Sequence, residues 1–395
     1  MKTTCIRTLL VLSTILNSCA VSEDEIVKES TYDCFMSDNT SNQGHPKHVQ
    51  YQALLDELVG KGVPGIMMTI FDGNDNEGPW SGASGMADLK NRVSMKNCNI
   101  SRVGSTVKMF TAVTVLQLAE EGKLNLDDLA SQYLSDETMA GIENAHEATV
   151  RQLLEHSSGI YNYIINPHFQ TASLNDLLKV WKPNELLDYA RGKNANFEPG
   201  TDLDYSNTNY IFLGEIIEDI EGKPFYKVFE ERIFNPLDLA FTQFAAESPV
   251  PKNIVRGYID LYSKLEVVES TYYSGWDYYT ADGGLISNPY DLYVFLRSIM
   301  EHSIISEKSF QIMTQWKSPS YDDDIHYGLG IFKMETKFGD AYIHSGDAIG
   351  YAATMLYLPK DDIYISWAVN GNYGKIDALT QELEAMEHII ANVIK

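Results

Sequence analysis

Strand-like segments gather at the two ends of this chain, and that distribution restricts the fold more than any single motif does. Near the start, Val63 to Phe71 and Trp80 to Met86 read as two strands joined by the turn-rich segment DGNDNEGP, the layout of a hairpin. Near the end, Tyr342–Ile343, Thr354–Tyr357 and Ile363–Ala368 have strand composition, the last two linked by the turn Pro359-Lys360-Asp361-Asp362. The stretch from 123 to 300 is helical and loop-rich instead. One sheet built from both termini, with a helical region inserted into it, follows from that order. Helices are expected around Leu54, Leu55 and Leu58 up to Gly60, and from Ser105 to Glu121 before Gly122. A C-terminal amphipathic helix is expected through Ile376, Leu379, Leu383, Met386, Ile389 and Val393. At 44% hydrophobic residues over 395 positions the chain can bury a large core.

Ahead of this body, Lys2 and Arg7 precede an apolar run from Leu9 to Leu16 that is too short to span a bilayer. Residues 1–18 therefore read as an export signal. Leu16-Asn17-Ser18-Cys19 resembles the bacterial lipobox, which makes Cys19 the expected lipidation site and new N-terminus. Cleavage elsewhere, freeing a periplasmic protein, is the alternative. Residues 19–47 are polar and aperiodic, as in a flexible tether, so the folded domain is expected over 48–395. The chain carries 55 acidic against 30 basic side chains, a net charge of -25, which repels phosphate backbones and argues against nucleic acid as a partner. The membrane would be met through the lipid anchor only. Cys34 and Cys98 remain in the body and either pair in an oxidising compartment or stay free; the sequence leaves that open.

Ser105-Thr106-Val107-Lys108 is the only Ser-x-x-Lys spacing in the chain. On a helix it sets both side chains on one face, one turn apart. A serine hydroxyl needs a neighbour to take its proton, and a lysine amine can do so once burial lowers its pKa. Alone, the pattern favours a capping serine beside a surface lysine. Tyr205-Ser206-Asn207 adds a phenol able to relay protons and an amide able to hydrogen-bond both substrate and lysine. His344-Ser345-Gly346 adds a glycine that would let substrate approach an edge strand.

In this order and spacing the three elements resemble the class C beta-lactamase and D-alanyl-D-alanine carboxypeptidase family, with its S-x-x-K, Y-x-N and K/H-x-G motifs. Flanking text agrees: LLEHSSGIYNY, FEPGTDLDYSNTNYIFLG, ADGGLISNPYDLYVFL and YGLGIF. The resemblance implies an α+β fold, an αβα sandwich in which an antiparallel sheet over 48–122 and 300–395 is flanked by helices, with an all-helical insert over about 123–300. It implies a serine hydrolase working through an acyl-enzyme on Ser105, with Lys108 as base, Tyr205 as relay, and Asn207 and His344 completing the site. The oxyanion hole would be the backbone N–H groups of Ser105 and Asp347, and Ser345, Gly346, Asp347 and Tyr161 would meet the substrate. No metal or organic cofactor is implied. D-amino-acid peptides, amides or esters are the expected substrates, D,D-carboxypeptidase-like; a promiscuous esterase or D-aminopeptidase, and a silent peptidoglycan- or partner-binding lipoprotein, are the alternatives. Asp347 stands where carboxypeptidase-like members have a small hydroxyl residue, and His344 where lactamases usually have lysine. Both put carboxylate-bearing substrates in doubt. His156 is expected to organise a turn. The aromatic run Tyr272, Tyr273, Trp276, Tyr278 and Tyr279 would either line a groove or pack a loop.

Overall fold

The computed structural model describes Cys34 and residues 44–395, apart from 75, 76, 274, 276 and 323. The expected signal, Cys19 and most of the 19–47 tether lie outside the described residues. Helix α1 (His48–Gly60) leads into β1 (Gly65–Asp72), β2 (Trp80–Asp88) and the short β3 (Val93–Ser94). Helices α2 (Val107–Glu120), α3 (Asn207–Glu221) and α4 (Pro289–Met300) mark the middle. Strands β4 (Ile325–Tyr327), β5 (Phe332–Thr336), β6 (Gly339–Ala348), β7 (Tyr351–Leu358) and β8 (Ile363–Val369) then precede α5 (Leu383–Val393).

These strands form one eight-stranded sheet in the order β3-β2-β1-β8-β7-β6-β5-β4. All its pairings are antiparallel, and the two ends of the chain meet where β1 runs beside β8, Ile66 opposite Val369 and Asp72 opposite Ile363. Successive side chains of a strand point to opposite faces. Ile66, Met68, Ile365 and Trp367 pack under α1 and α5 with Leu55, Leu58, Ile389 and Ile390. Met67, Tyr364 and Ala368, on the other face, join the larger core around α2, α3 and α4. Covered on both sides, β1 and β8 read in sequence as continuous apolar runs instead of an alternation.

The 123–300 stretch is helical and loop-rich but not all-helical. It contains short strands at Gln243–Phe244, Tyr258–Ile259, Val268–Glu269 and Leu285–Ser287, each too brief for periodicity to register. Leu285–Ser287 pairs with Ser101–Arg102, just before the candidate nucleophile. Helix α4 lies on β1, β7 and β8, so the chain rejoins the sheet unit before residue 300.

Cys34 and Cys98 form a disulfide with Cα atoms 5.7 Å apart, within the range the bond requires. The bond spans 64 residues of chain. Replacing both cysteines with serine is expected to lower the unfolding free energy by about 2–4 kcal/mol, read from urea denaturation. An unchanged midpoint would mean that the cross-link contributes nothing to stability.

Candidate active site

Ser105 sits in a single 3-10 turn, Gly104–Thr106, that feeds α2. That helix runs through the larger core, with Val107, Met109, Phe110, Ala112, Val113 and Val115 all buried, as expected of a helix apolar on every face. Lys108 is carried inside with them. Its Nζ lies 2.9 Å from Ser105 Oγ and donates to the Asp282 backbone carbonyl at 2.5 Å. Burial pushes the ammonium down to about 8, against the opposing pull of the Asp282 and Asp277 carboxylates.

Pairing of β5 with β6 stops at Ile343, whereas β7 follows β6 to Ala348. His344 to Asp347 thus lie on a locally open edge. Gly346 lines the cavity and also meets a constraint that the sequence does not reveal. A Cβ there would come within 2.1 Å of Val103 O and 2.5 Å of Ser105 N, so only a glycine admits the Ser105 turn. Gly104 makes the reciprocal contact: its φ is +49°, and a Cβ would meet Asp347 O at 2.4 Å. Two glycines let the backbones carrying the Ser105 and Asp347 amides touch.

Tyr205 precedes α3 and is hydrogen-bonded to Ser105; Lys108 Nζ lies 5.1 Å from its ring centre. Burial raises the phenol well above its usual range, opposed by the Ser105 bond, so Tyr205 is a neutral hydroxyl near neutral pH. Asn207 opens α3, and its backbone N and Nδ2 donate to Asn162 Oδ1 at 3.2 and 3.3 Å. The expected bond from Asn207 to the lysine is absent, since Lys108 is taken by Ser105 and Asp282. His156 organises the loop before Tyr205: Ser206 N donates to its Nδ1 at 3.1 Å and Asp204 N to its carbonyl at 3.0 Å. Its ring lies 4.4 Å from that of Tyr205.

A cavity of about 530 Å³ opens over these groups. Ser105, Tyr205, Asn207, Asp282 and His344 to Asp347 supply its polar lining, while Ile164, Phe332, Met334 and Ile343 give it an apolar wall. His344 is buried, and burial together with the Lys108 charge pushes its ring down to about 3. The neutral ring donates from Nδ1 to Ser345 O at 2.7 Å. Ser345 Oγ pairs with Thr354 Oγ1 across the sheet at 2.9 Å. Asp347 projects into the cavity, where enclosure by protein and repulsion from Asp377 push its carboxyl up to about 6 against an Asn372 hydrogen bond.

Tyr161 is not among the cavity residues. Its ring packs on the larger core and its carbonyl accepts from Thr208 Oγ1, while Ile164, in the next turn, reaches the cavity instead. The described aromatic residues of the 272–279 run do not line the cavity either. Tyr278 packs under the Arg102 guanidinium, 4.4 Å from its ring centre, and Lys182 lies 3.3 Å from the ring centre of Tyr279. Trp276 lies outside the described residues. Sequence reasoning missed Asn162 and Asp282, although both stand inside segments that carry the resemblance. Tyr163 OH donates to Asp282 Oδ2 at 2.9 Å and so holds the carboxylate whose charge favours the Lys108 ammonium.

The sequence pattern of the Beta-lactamase family matches residues 51–386. Protein flp of Staphylococcus aureus is 24% identical over 304 residues, 76% of this chain and 58% of its own length. A teichoic acid D-alanine hydrolase of the same species is 24% identical over 271 residues, 68% of this chain and 62% of its own length. The chain thus spans less than two thirds of these curated relatives. The crystal structure of a D-stereospecific amidohydrolase from Streptomyces sp. superposes with a TM-score of 0.72 at 29% identity, covering 85% of this chain and 99% of that one. A match across most of the chain, on a fold whose sheet and central helix bring a serine and a lysine together, identifies it as a member of the Beta-lactamase family.

Proposed function

We propose that this protein hydrolyses esters, amides or short peptides of D-amino acids through an acyl-enzyme on Ser105. The observation that carries the reading is the 2.9 Å approach of a buried Lys108 Nζ, its pKa held at about 8, to Ser105 Oγ. In the neutral form Lys108 accepts the serine proton while Oγ bonds to the acyl carbon and the carbonyl electron pair moves to oxygen. The backbone N–H groups of Ser105 and Asp347 stabilise that oxyanion. As it collapses, the bond to the leaving nitrogen or oxygen breaks. Tyr205 hands its hydroxyl proton to the leaving group and takes one back from Lys108. Water then repeats the attack on the ester, releasing the acid and restoring Ser105. Asn207, held by Asn162, orients the substrate.

The D-configuration is supported by the relatives, one named a D-stereospecific amidohydrolase and one a teichoic acid D-alanine hydrolase. Within this class, the neutral His344 and the carboxylate of Asp347 favour an esterase or aminopeptidase type over a D,D-carboxypeptidase, whose substrate ends in a carboxylate. Export and lipid attachment at Cys19 complete the proposal; the mass of the mature N-terminal peptide tests them.

The deciding experiment is intact mass after exposure to a reactive fluorophosphonate and, separately, to a fluorescent penicillin. One fluorophosphonate adduct is expected on the wild type and none on Ser105→Ala, with no penicillin adduct on either. A penicillin adduct on Ser105 would restore the carboxypeptidase type. A wild type left unlabelled by both reagents would remove the catalytic reading and leave a binding protein.

A further inference from the structure

The cavity beside Ser105 is short of positive charge. Among the described residues its lining contains no lysine or arginine, but three carboxylates, Asp277, Asp282 and Asp347. The nearest ammonium, Lys108, is occupied by Ser105 Oγ and the Asp282 carbonyl. Two atoms of the lining lack a partner although their residues are almost wholly buried. Because the Ser345 carbonyl can only accept, His344 Nδ1 carries the ring proton; Nε2 is then a bare acceptor, and it has no partner in a side chain 2% exposed. Asp282 Oδ1 is likewise unpaired in a residue 3% exposed. Buried acceptors without donors are costly and mark places where a ligand supplies the missing group.

Of the three carboxylates only Asp347 is exposed to the cavity. It has no ion-pair partner among the described residues, and its charged neighbour, Asp377, repels it and itself keeps a buried, unpaired Oδ1. Resting on the hydrolase reading above, we infer that the acyl part of the substrate carries a free, protonated α-amine and that the Asp347 carboxylate receives it. Position supports this assignment. The Asp347 N–H is the proposed donor to the acyl oxygen, so its side chain starts beside the acyl carbon, where an α-substituent lies. A D-aminoacyl ester or amide with an unblocked amine brings a positive donor to that carboxylate. An N-acylated or carboxylate-bearing substrate brings a neutral or like-charged group instead.

The test compares D-alanine methyl ester with N-acetyl-D-alanine methyl ester on the wild type, Asp347→Asn and Asp347→Glu at pH 7.5, with fluorophosphonate labelling of each protein run alongside. The wild type is expected to favour the free amine in kcat/KM by at least about tenfold, the scale of one charge-assisted contact, chiefly through KM. Asp347→Asn is expected to bring that ratio close to one, and Asp347→Glu to restore part of it. A wild-type ratio near one overturns the inference whether or not the variants fold. So does a preference that survives in Asp347→Asn. Fluorophosphonate labelling of Ser105 without an amine preference rejects this inference alone, whereas a wild type that is not labelled and cleaves neither ester rejects the hydrolase reading beneath it.

Discussion

Lys108→Ala is expected to lower kcat/KM by about 10²- to 10⁴-fold, the range of a positioned general base, and the wild type is expected to lose activity as pH falls below about 8. The His344 ring, pushed down to about 3, is too weak a base to replace the amine. The Tyr205 phenol is held protonated by burial, and His156 Nδ1 is taken by the Ser206 amide. Lys108→Arg will not rescue the activity, because a guanidinium cannot give up its proton in a protein. The sign of the pH dependence follows from the base having to be neutral. With the lysine at about 8, roughly a tenth of it is neutral at pH 7, and each further unit of acid removes about tenfold more. Asp277, raised to about 7 chiefly by burial, titrates in the same window. Losing its charge lowers the lysine pKa further, which softens the slope without reversing it. Asp282→Asn is expected to move the inflection to lower pH, since Asp282 supports the charged lysine. A flat kcat/KM profile from pH 6 to 9, or an active Lys108→Ala, would exclude lysine as the base.

The strands that sequence identified and those it did not differ in their surroundings. β1 and β8 are covered on both faces and betray themselves as apolar runs. β5, Phe332–Thr336, lies farther out and is half-buried along most of its length, with Lys333 and Glu335 in its sequence, so it offers no clear period. Leu285–Ser287 is only three residues long and is defined by partners at Ser101–Arg102 and Gln243–Phe244. The site divides in the same way. Ser105 and Lys108 are legible because their contact is local, three residues apart from the 3-10 turn into α2. Asp282 meets Lys108 across 174 residues of chain, and Asn162 meets Asn207 across 45. Nothing in a single sequence encodes such distances. The resemblance points to Tyr161, whereas the 3-10 turn at Tyr163–Ile165 brings Ile164 to the cavity instead. At Gly346 the sequence offers a glycine that would let substrate approach; the backbone contact that demands one appears only in the fold.

That contact yields the second large effect. Gly346→Ala is expected to cost about 10²- to 10³-fold in kcat/KM, the loss associated with one oxyanion donor. The added methyl would overlap Val103 O, Ser105 N and Thr106 N, all backbone atoms, so no side chain can swing aside to make room. Strand β6 and the nucleophile turn must separate. The amides of Ser105 and Asp347 lie on opposite sides of that contact, and a displacement of about 1 Å at such a site can cost about 10²-fold. Part of the strain will also appear as destabilisation, about 1–3 kcal/mol for overpacking at a tight contact. Measuring urea midpoints, ester hydrolysis and fluorophosphonate labelling rates on the same preparation separates the two effects. Ser345→Ala is the comparison: its hydroxyl pairs with Thr354 across the sheet and removing it adds no clash with the Ser105 turn, so its loss should be smaller in all three. If Gly346→Ala folds and labels at the wild-type rate, the contact between turn and strand does not align the two amides, and the acyl oxygen must be stabilised elsewhere in the cavity.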